Sequence, residues 1–160
     1  MSDRNHTTAS ILESLREPDI NWKGVLMDII THFDCKTGTL HLLDDDNLLQ
    51  LKAEYGIPEF LIPKLSTIPI GKGMAGIAAE RQIPVEMCNL QTDNSGVARP
   101  AAKETKVEGS IAVPMMQDGH LYGVYGIAKP IPYDFTEQEK NDLKSIGEAM
   151  SKALKAAERS

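Results

Sequence analysis

At 160 residues, with 41% hydrophobic and 25% charged residues, the chain has the size and make-up of one ordinary globular domain with enough length to bury a core. The 17 Lys and Arg against 23 Asp and Glu leave a net charge of -6, which opposes binding to polyanions, and no basic run or aromatic–basic interleaving marks a nucleic-acid face. No apolar stretch approaches the ~18 residues of a membrane span, so neither nucleic acid nor membrane is expected as a partner.

The elements follow in chain order. Ile11, Leu12 and Leu15 suggest a short helix that Pro18 stops. Residues 1–18 are therefore set apart as an N-terminal helical extension, and 19–160 as the domain. Trp22, Val25, Leu26, Ile29, Ile30 and Phe33 recur at helical spacing, with Asp19 as the expected N-cap. Thr37–Leu43 and Leu48–Tyr55 read as strands. The Asp44, Asp45, Asp46, Asn47 turn between them makes the pair a hairpin. The stretch GIPEFLIPKL predicts a short helical turn. Gly71-Lys72-Gly73 then permits a tight turn into a helix over Met74–Arg81. Pro84 and Val85 open another short strand. The segment from Cys88 to Lys106 is too polar for core and too long for a simple connector, and such loops are often binding loops. Ser110–Met116 and Leu121–Ala128 are strands joined through Asp118-Gly119, a strong hairpin signal.

The last helix opens on Thr136 with Glu139 three residues later, a capping box. Leu143, Ile146, Met150, Ala153 and Ala157 follow at alternating three and four spacing, and Leu154 widens this seam. Such a stripe must be buried, against a second copy or against the chain's own sheet. Helices at both ends of a hairpin-rich middle predict an α+β domain. Its antiparallel sheet would carry the terminal helices on one face and a loop-covered pocket on the other.

Three segments carry a resemblance: IPIGKGMAGIAAERQIP, GSIAVPM and GIAKPIPYDFTEQEKNDLKSIGEAM. Together with the element order over roughly 20–157 they resemble the GAF domain family of small-molecule sensor modules. The resemblance implies a pocket lined by the glycine-turn helix, the Cys88–Lys106 loop and the strand from Ser110. It also implies a homodimer through the terminal helices. The candidate ligand-binding residues are Met74, Cys88, Val97, Arg99, Lys103 and Ser110. Arg99 offers a planar fork of donors suited to carboxylate or phosphate. Lys103 lies a helical turn later if 101–105 is helical, so an anionic small molecule is the expected partner. The plain alternative is that both are solvated or pair with Glu104 and Glu108. Met74 and Val97 are apolar, which fits either a ligand lining or a filled pocket. The cofactor is unknown, and no histidine cluster points to a metal.

The chain also resembles the free methionine-(R)-sulfoxide reductases, small GAF proteins that work with cysteines in the glycine-turn helix and the long loop. Here Gly73-Met74-Ala75-Gly76 has no cysteine, and Arg99 stands where that family carries its nucleophile. Ser110, Gly126 and Ala128 replace its acidic residues. The expected function is small-molecule sensing without catalysis. The alternatives are that reductase activity and a dimerisation module with no ligand. Cys88 reads as a redox thiol or as a buried or half-buried structural one, and Cys35 as structural. Two cysteines make no disulfide framework, and MSDRNHTTAS has no apolar signal-peptide region, so the expected location is cytoplasmic. His41, on the face of Thr39 and Leu43, points into the pocket or is a satisfied strand histidine. His120 is expected at an exposed hairpin tip.

Overall fold

A computed structural model of the protein describes residues 11, 12, 15, 20–92 and 106–159. Helix α1 (Trp22–His32) leads to strands β1 (Thr37–Leu43) and β2 (Leu48–Tyr55). A 3-10 turn (Glu59–Leu61) and helix α2 (Ile62–Leu65) precede β3 (Thr67–Pro69), and a second 3-10 turn (Leu90–Thr92) comes later in the chain. Helix α3 (Gly73–Arg81), β4 (Val85–Met87), β5 (Ser110–Gln117), β6 (His120–Ala128) and helix α4 (Glu137–Arg159) complete the order. The strands form one antiparallel sheet, β3-β2-β1-β6-β5-β4. No helix among the described residues is long and apolar enough to cross a membrane.

Local chemistry explains most element ends. Asp44 accepts backbone N–H groups from Asp46 and Leu48 at 2.8 and 3.0 Å, which closes the β1–β2 turn. Its carboxyl is held below the usual range by the Gln50 amide and then by those amides. Asp118 and Gly119 both have positive φ, 53° and 78°, the type I′ geometry that matches strand twist. Asn21, not Asp19, caps α1: its side chain accepts from Gly24 N at 3.1 Å. An acceptor immediately before the first helical residue reaches the orphan amides; Asp19 lies outside the described residues. At α4 the capping box is closed both ways, Glu139 N to Thr136 Oγ1 at 3.1 Å and Thr136 N to Glu139 Oε1 at 2.9 Å.

One face of the sheet is covered by the terminal helices. Val25, Leu26, Ile29 and Ile30 of α1 and Leu143, Ile146 and Met150 of α4 pack on Leu40, Ile111, Val113, Met115, Tyr125 and Ile127. Ile11 and Leu15 join this cluster, so these two side chains of the N-terminal stretch are part of the domain core. The first half of the α4 seam is fully covered by the chain's own sheet, since Leu143, Ile146 and Met150 are each 0% exposed. The second cluster lies on the opposite face, where Met74, Ala78 and Ala79 of α3 meet Leu49, Val85, Ala112, Leu121 and Val124. Gly76 allows α3 to approach its own entry turn, because a Cβ there would meet Pro69 O at 2.5 Å.

Two β-bulges set which residues face which cluster. Leu40 pairs with Ala53 and His41 with Leu51, so Lys52 is the extra residue. Met115 pairs with Gly123 and Met116 with Leu121, so Tyr122 is the extra residue. A bulge shifts the two-residue alternation by one. Leu49 and Leu121 thereby reach the α3 face although simple counting from Ala53 and Tyr125 puts them on the helix-covered face.

The buried Tyr125 hydroxyl donates to the Leu143 carbonyl at 2.5 Å and fastens α4 to the sheet centre. Tyr125→Phe is expected to cost about 1 kcal/mol, the net worth of such a bond. Urea unfolding should show a lower midpoint at unchanged slope.

Candidate functional site

The α3 face of the sheet has two halves of different character. Where α3 sits, the side chains are large and closed over. Beyond it the floor is small: Ser110 pairs with Ala128, and Ala112 with Gly126, which also pairs with Thr39. Alternation puts these five positions on the face of Val85 and Val124. Thr39, Ser110 and Gly126 are only half-buried, although they lie on inner strands. A Cβ built on Gly126 would meet only ladder neighbours, Ile111 O at 3.3 Å, Thr39 Oγ1 at 3.8 Å and Ala112 Cα at 3.9 Å. This floor carries no charge and two hydroxyls. Small residues over a rigid sheet make a concave surface with few polar groups, the usual character of a ligand site.

The two stems of the 88–106 segment converge beside this floor. Tyr133 N donates to Cys88 O at 2.9 Å, and Gln91 Nε2 to Val107 O at 2.7 Å. Glu108 N donates to Lys129 O and Gly109 N to Ile131 O, at 2.9 and 2.8 Å. Both stems are thus anchored to the β6–α4 connection or to each other. Lys129 fixes that connection: its buried Nζ donates to Phe33 O and Asp34 O at 2.7 and 3.0 Å and lies 4.5 Å from the Tyr133 ring centre.

The sequence-predicted residues fall in different places. Ser110 lies on the floor. Met74 is buried in the apolar cluster under α3. Cys88 is exposed, which corrects the buried or half-buried structural reading; strand β4 ends one residue before it, and its side chain is free of the cover that Val85 receives. Val97, Arg99 and Lys103 lie outside the described residues. Sequence reasoning missed Thr39, whose threonine in a strand gives no signal of its own. It placed His41 on the correct face but missed its carbonyl partner 24 residues away: His41 Nε2 lies 2.7 Å from Leu65 O, and the ring is 1% exposed.

The thiols are not activated. Burial, only partly offset by Lys129, pushes Cys35 up to about 12. Residual desolvation and the neighbouring Asp134 carboxylate also raise Cys88. At Cys35 burial outweighs the Lys129 cation, and at Cys88 the neighbouring charge is a carboxylate, so neither setting favours a thiolate. Burial holds His41 below the usual 6.5, and the Leu65 carbonyl works in the opposite sense. A separate open depression of about 410 Å³ lies at the hairpin tips, lined by Leu43, Asn47, Ile70, Glu80, Gln82 and His120 among others. Of the described sequence-predicted ligand residues, Met74, Cys88 and Ser110, none lines it. His120 is exposed there, as expected of a hairpin tip.

A family model described as the GAF domain matches residues 24–155. No curated protein matches the chain significantly. Among solved structures, the GAF domain of a phosphoenolpyruvate-protein phosphotransferase from Coxiella burnetii is similar at TM-score 0.84 and 19% identity, over 99% of this chain and 96% of that one. A free methionine-R-sulfoxide reductase from Neisseria meningitidis, in complex with its substrate, is similar at TM-score 0.82 and 18% identity, over 98% and 90%. The nlh2 GAF domain of A. aeolicus in an inactive state is similar at TM-score 0.75 and 19% identity, over 96% of each chain. At these identities the likeness is one of fold.

Two outcomes are expected. Iodoacetamide at pH 8 should alkylate Cys88 well before Cys35, both more slowly than free cysteine, as read by mass spectrometry of the intact protein. For His41 the folded state resists protonation, so below pH 6.5 the unfolded chain binds more protons than the folded one. Stability should then fall as the pH drops from 6.5 towards the lower folded value, by up to about 1.4 kcal/mol per pH unit from this residue. Urea unfolding between pH 7.5 and 5.5 should show this loss, and His41→Gln should flatten it.

Proposed function

Because the chain belongs to the GAF domain family, we propose that it is a small-molecule-binding sensory module with no catalytic output of its own. The ligand would sit between the Thr39, Ala112, Gly126, Ala128, Ser110 floor and the 88–106 segment. The observation that carries this reading is the half-open, uncharged floor on the sheet face not covered by the terminal helices. Helix α4 packs on the opposite face of β5, so a ligand that binds across both halves of the sheet edge acts on the layer that holds α4. Such a change is a shift between two populated arrangements. Arg99 and Lys103, which lie outside the described residues, are the candidate partners of an anionic group on the ligand, and Val97 is a candidate apolar contact.

Reductase chemistry is disfavoured on three grounds. The glycine-turn helix has no cysteine, both thiols present are raised away from thiolate, and the positions aligned with the reductases' acids are uncharged. Pairing gives the last point its weight. Ser110 faces Ala128 directly, and Gly126 is the next residue of β6 on that face, so the three replacements are neighbours on one floor. A cationic ammonium group has no carboxylate to meet there.

A homodimer through the terminal helices draws no support from Leu143, Ile146 and Met150, which the chain already covers. Ala153 and Leu154, half-buried, and Ala157, exposed, are what remains of the seam for a second copy.

A thermal-shift screen of metabolites, cyclic nucleotides, oxo-acids, amino acids and methionine sulfoxide tests the main reading. A true ligand at 100 times its Kd should add about 2.7 kcal/mol of stability. Arg99→Ala should weaken an anionic ligand, and Ser110→Val should weaken any ligand seated on the floor. Silence across the screen would favour the dimerisation reading, and turnover of methionine sulfoxide that is lost in Cys88→Ser would favour the enzyme.

A further inference from the structure

Among the described residues, His41 Nδ1 is a buried side-chain polar atom with no hydrogen-bond partner. The histidine is 1% exposed, and its other nitrogen, Nε2, lies 2.7 Å from the Leu65 carbonyl oxygen. A carbonyl oxygen only accepts, so Nε2 carries the proton. In the neutral ring Nδ1 is then a bare lone pair that needs a donor. Buried acceptors are almost always paired, and an orphan calls for an explanation.

The position of the ring supplies one. His41 pairs with Val124 of β6, and Thr39, its neighbour on the same face of β1, pairs with Gly126. The ring therefore stands at the edge of the small-residue floor, and Gly126 puts no side chain beside it. Leu65 O holds the ring from the α2 side, and Ser66 O, next in the chain, accepts from Leu51 N at 2.8 Å, so the α2 end is itself fixed to β2. A ring held in one tautomer by a fixed carbonyl presents its free nitrogen in a fixed direction.

We infer that His41 Nδ1 is the hydrogen-bond acceptor of the ligand site, and that the ligand presents an N–H or O–H group to it. This rests on the small-molecule reading above and narrows it. A carboxylate or phosphate oxygen has no proton to offer a neutral imidazole, so an anionic end of the ligand must lie elsewhere. The class is a hydroxy, amino or amide compound rather than a bare oxo-acid or polyanion. The preference is a matter of one proton, and a site built to receive it discriminates against the analogue that lacks it.

The test uses the full chain labelled with 15N-histidine, with the His41 signals identified by their loss in His41→Gln. In the free protein Nε2 should be protonated and Nδ1 should appear in the range of an unprotonated imine nitrogen. The probes are L-lactate, L-alanine and pyruvate, three carboxylates of similar size that offer an O–H, an N–H or neither, together with nicotinamide and methyl nicotinate. A donor-bearing probe should raise Tm and move Nδ1 upfield, with its donor-free counterpart at least about tenfold weaker in Kd. A probe that raises Tm while Nδ1 stays still overturns the inference and leaves the sensory reading standing. So does equal binding of pyruvate and L-lactate, or a free protein in which Nδ1 and not Nε2 carries the proton. No change in Tm or in Nδ1 with any probe removes both.

Discussion

The pairing of β1 with β6 is the constraint on which the rest of the molecule depends. Thr37–Leu42 lies against Gly123–Ala128, across more than half the sequence. The approach is close enough that a Cβ on Gly123 would run into the His41 carbonyl, and one on Gly38 would meet the Gly126 carbonyl at 3.1 Å. This contact joins the N-terminal hairpin to the C-terminal one and makes six strands a single sheet. It also brings the end of α1 beside the start of the β6–α4 connection, where Lys129 donates to the last carbonyls after α1. A cation at a helix C-terminus is favourable, and here it is buried and bonded to two carbonyl oxygens, so the ends of the chain are locked to one face.

That locking decides where a ligand can go. With α1 and α4 on one face, the other must be closed by what lies between β2 and β5. Helix α3 is only 9 residues long and covers the half of the face nearest Leu49 and Leu121. The remaining half has Thr39, Gly126 and Ser110, all half-buried, beside the buried Ala112 and Ala128. Val or Ile, which pack well on a pleated surface, are absent from these five positions. The anchored stems of the 88–106 segment lie beside this small floor.

Neither described thiol is activated, since both are shifted up from the ordinary thiol value. Both thiols are held in the protonated form, and the floor has no carboxylate. The polar side chains on that face include the hydroxyls of Thr39 and Ser110, with the buried His41 next to Thr39 along β1.

Much of this was legible in the residues. Turn chemistry at Asp44–Asn47 and Asp118-Gly119 and the Thr136–Glu139 capping box mark their elements to within a residue, because each signal acts within four residues of chain. The α+β class and the GAF fold followed from the order of those elements. What the residues did not disclose is non-local. The bulges at Lys52 and Tyr122 change which side chains share a face without changing composition. The Asn21 cap depends on where α1 turns out to begin. The Leu65 carbonyl that sets the His41 tautomer, the exposure of Cys88 and the burial of Lys129 each depend on a partner that approaches only when the sheet closes. The sequence alone determined the elements and the fold they make, since hydrophobic period and turn residues are local. Only the tertiary structure decided which small side chains share one half of the sheet face and which His41 nitrogen meets a carbonyl, because those follow from strand register and from contacts between residues far apart in the chain.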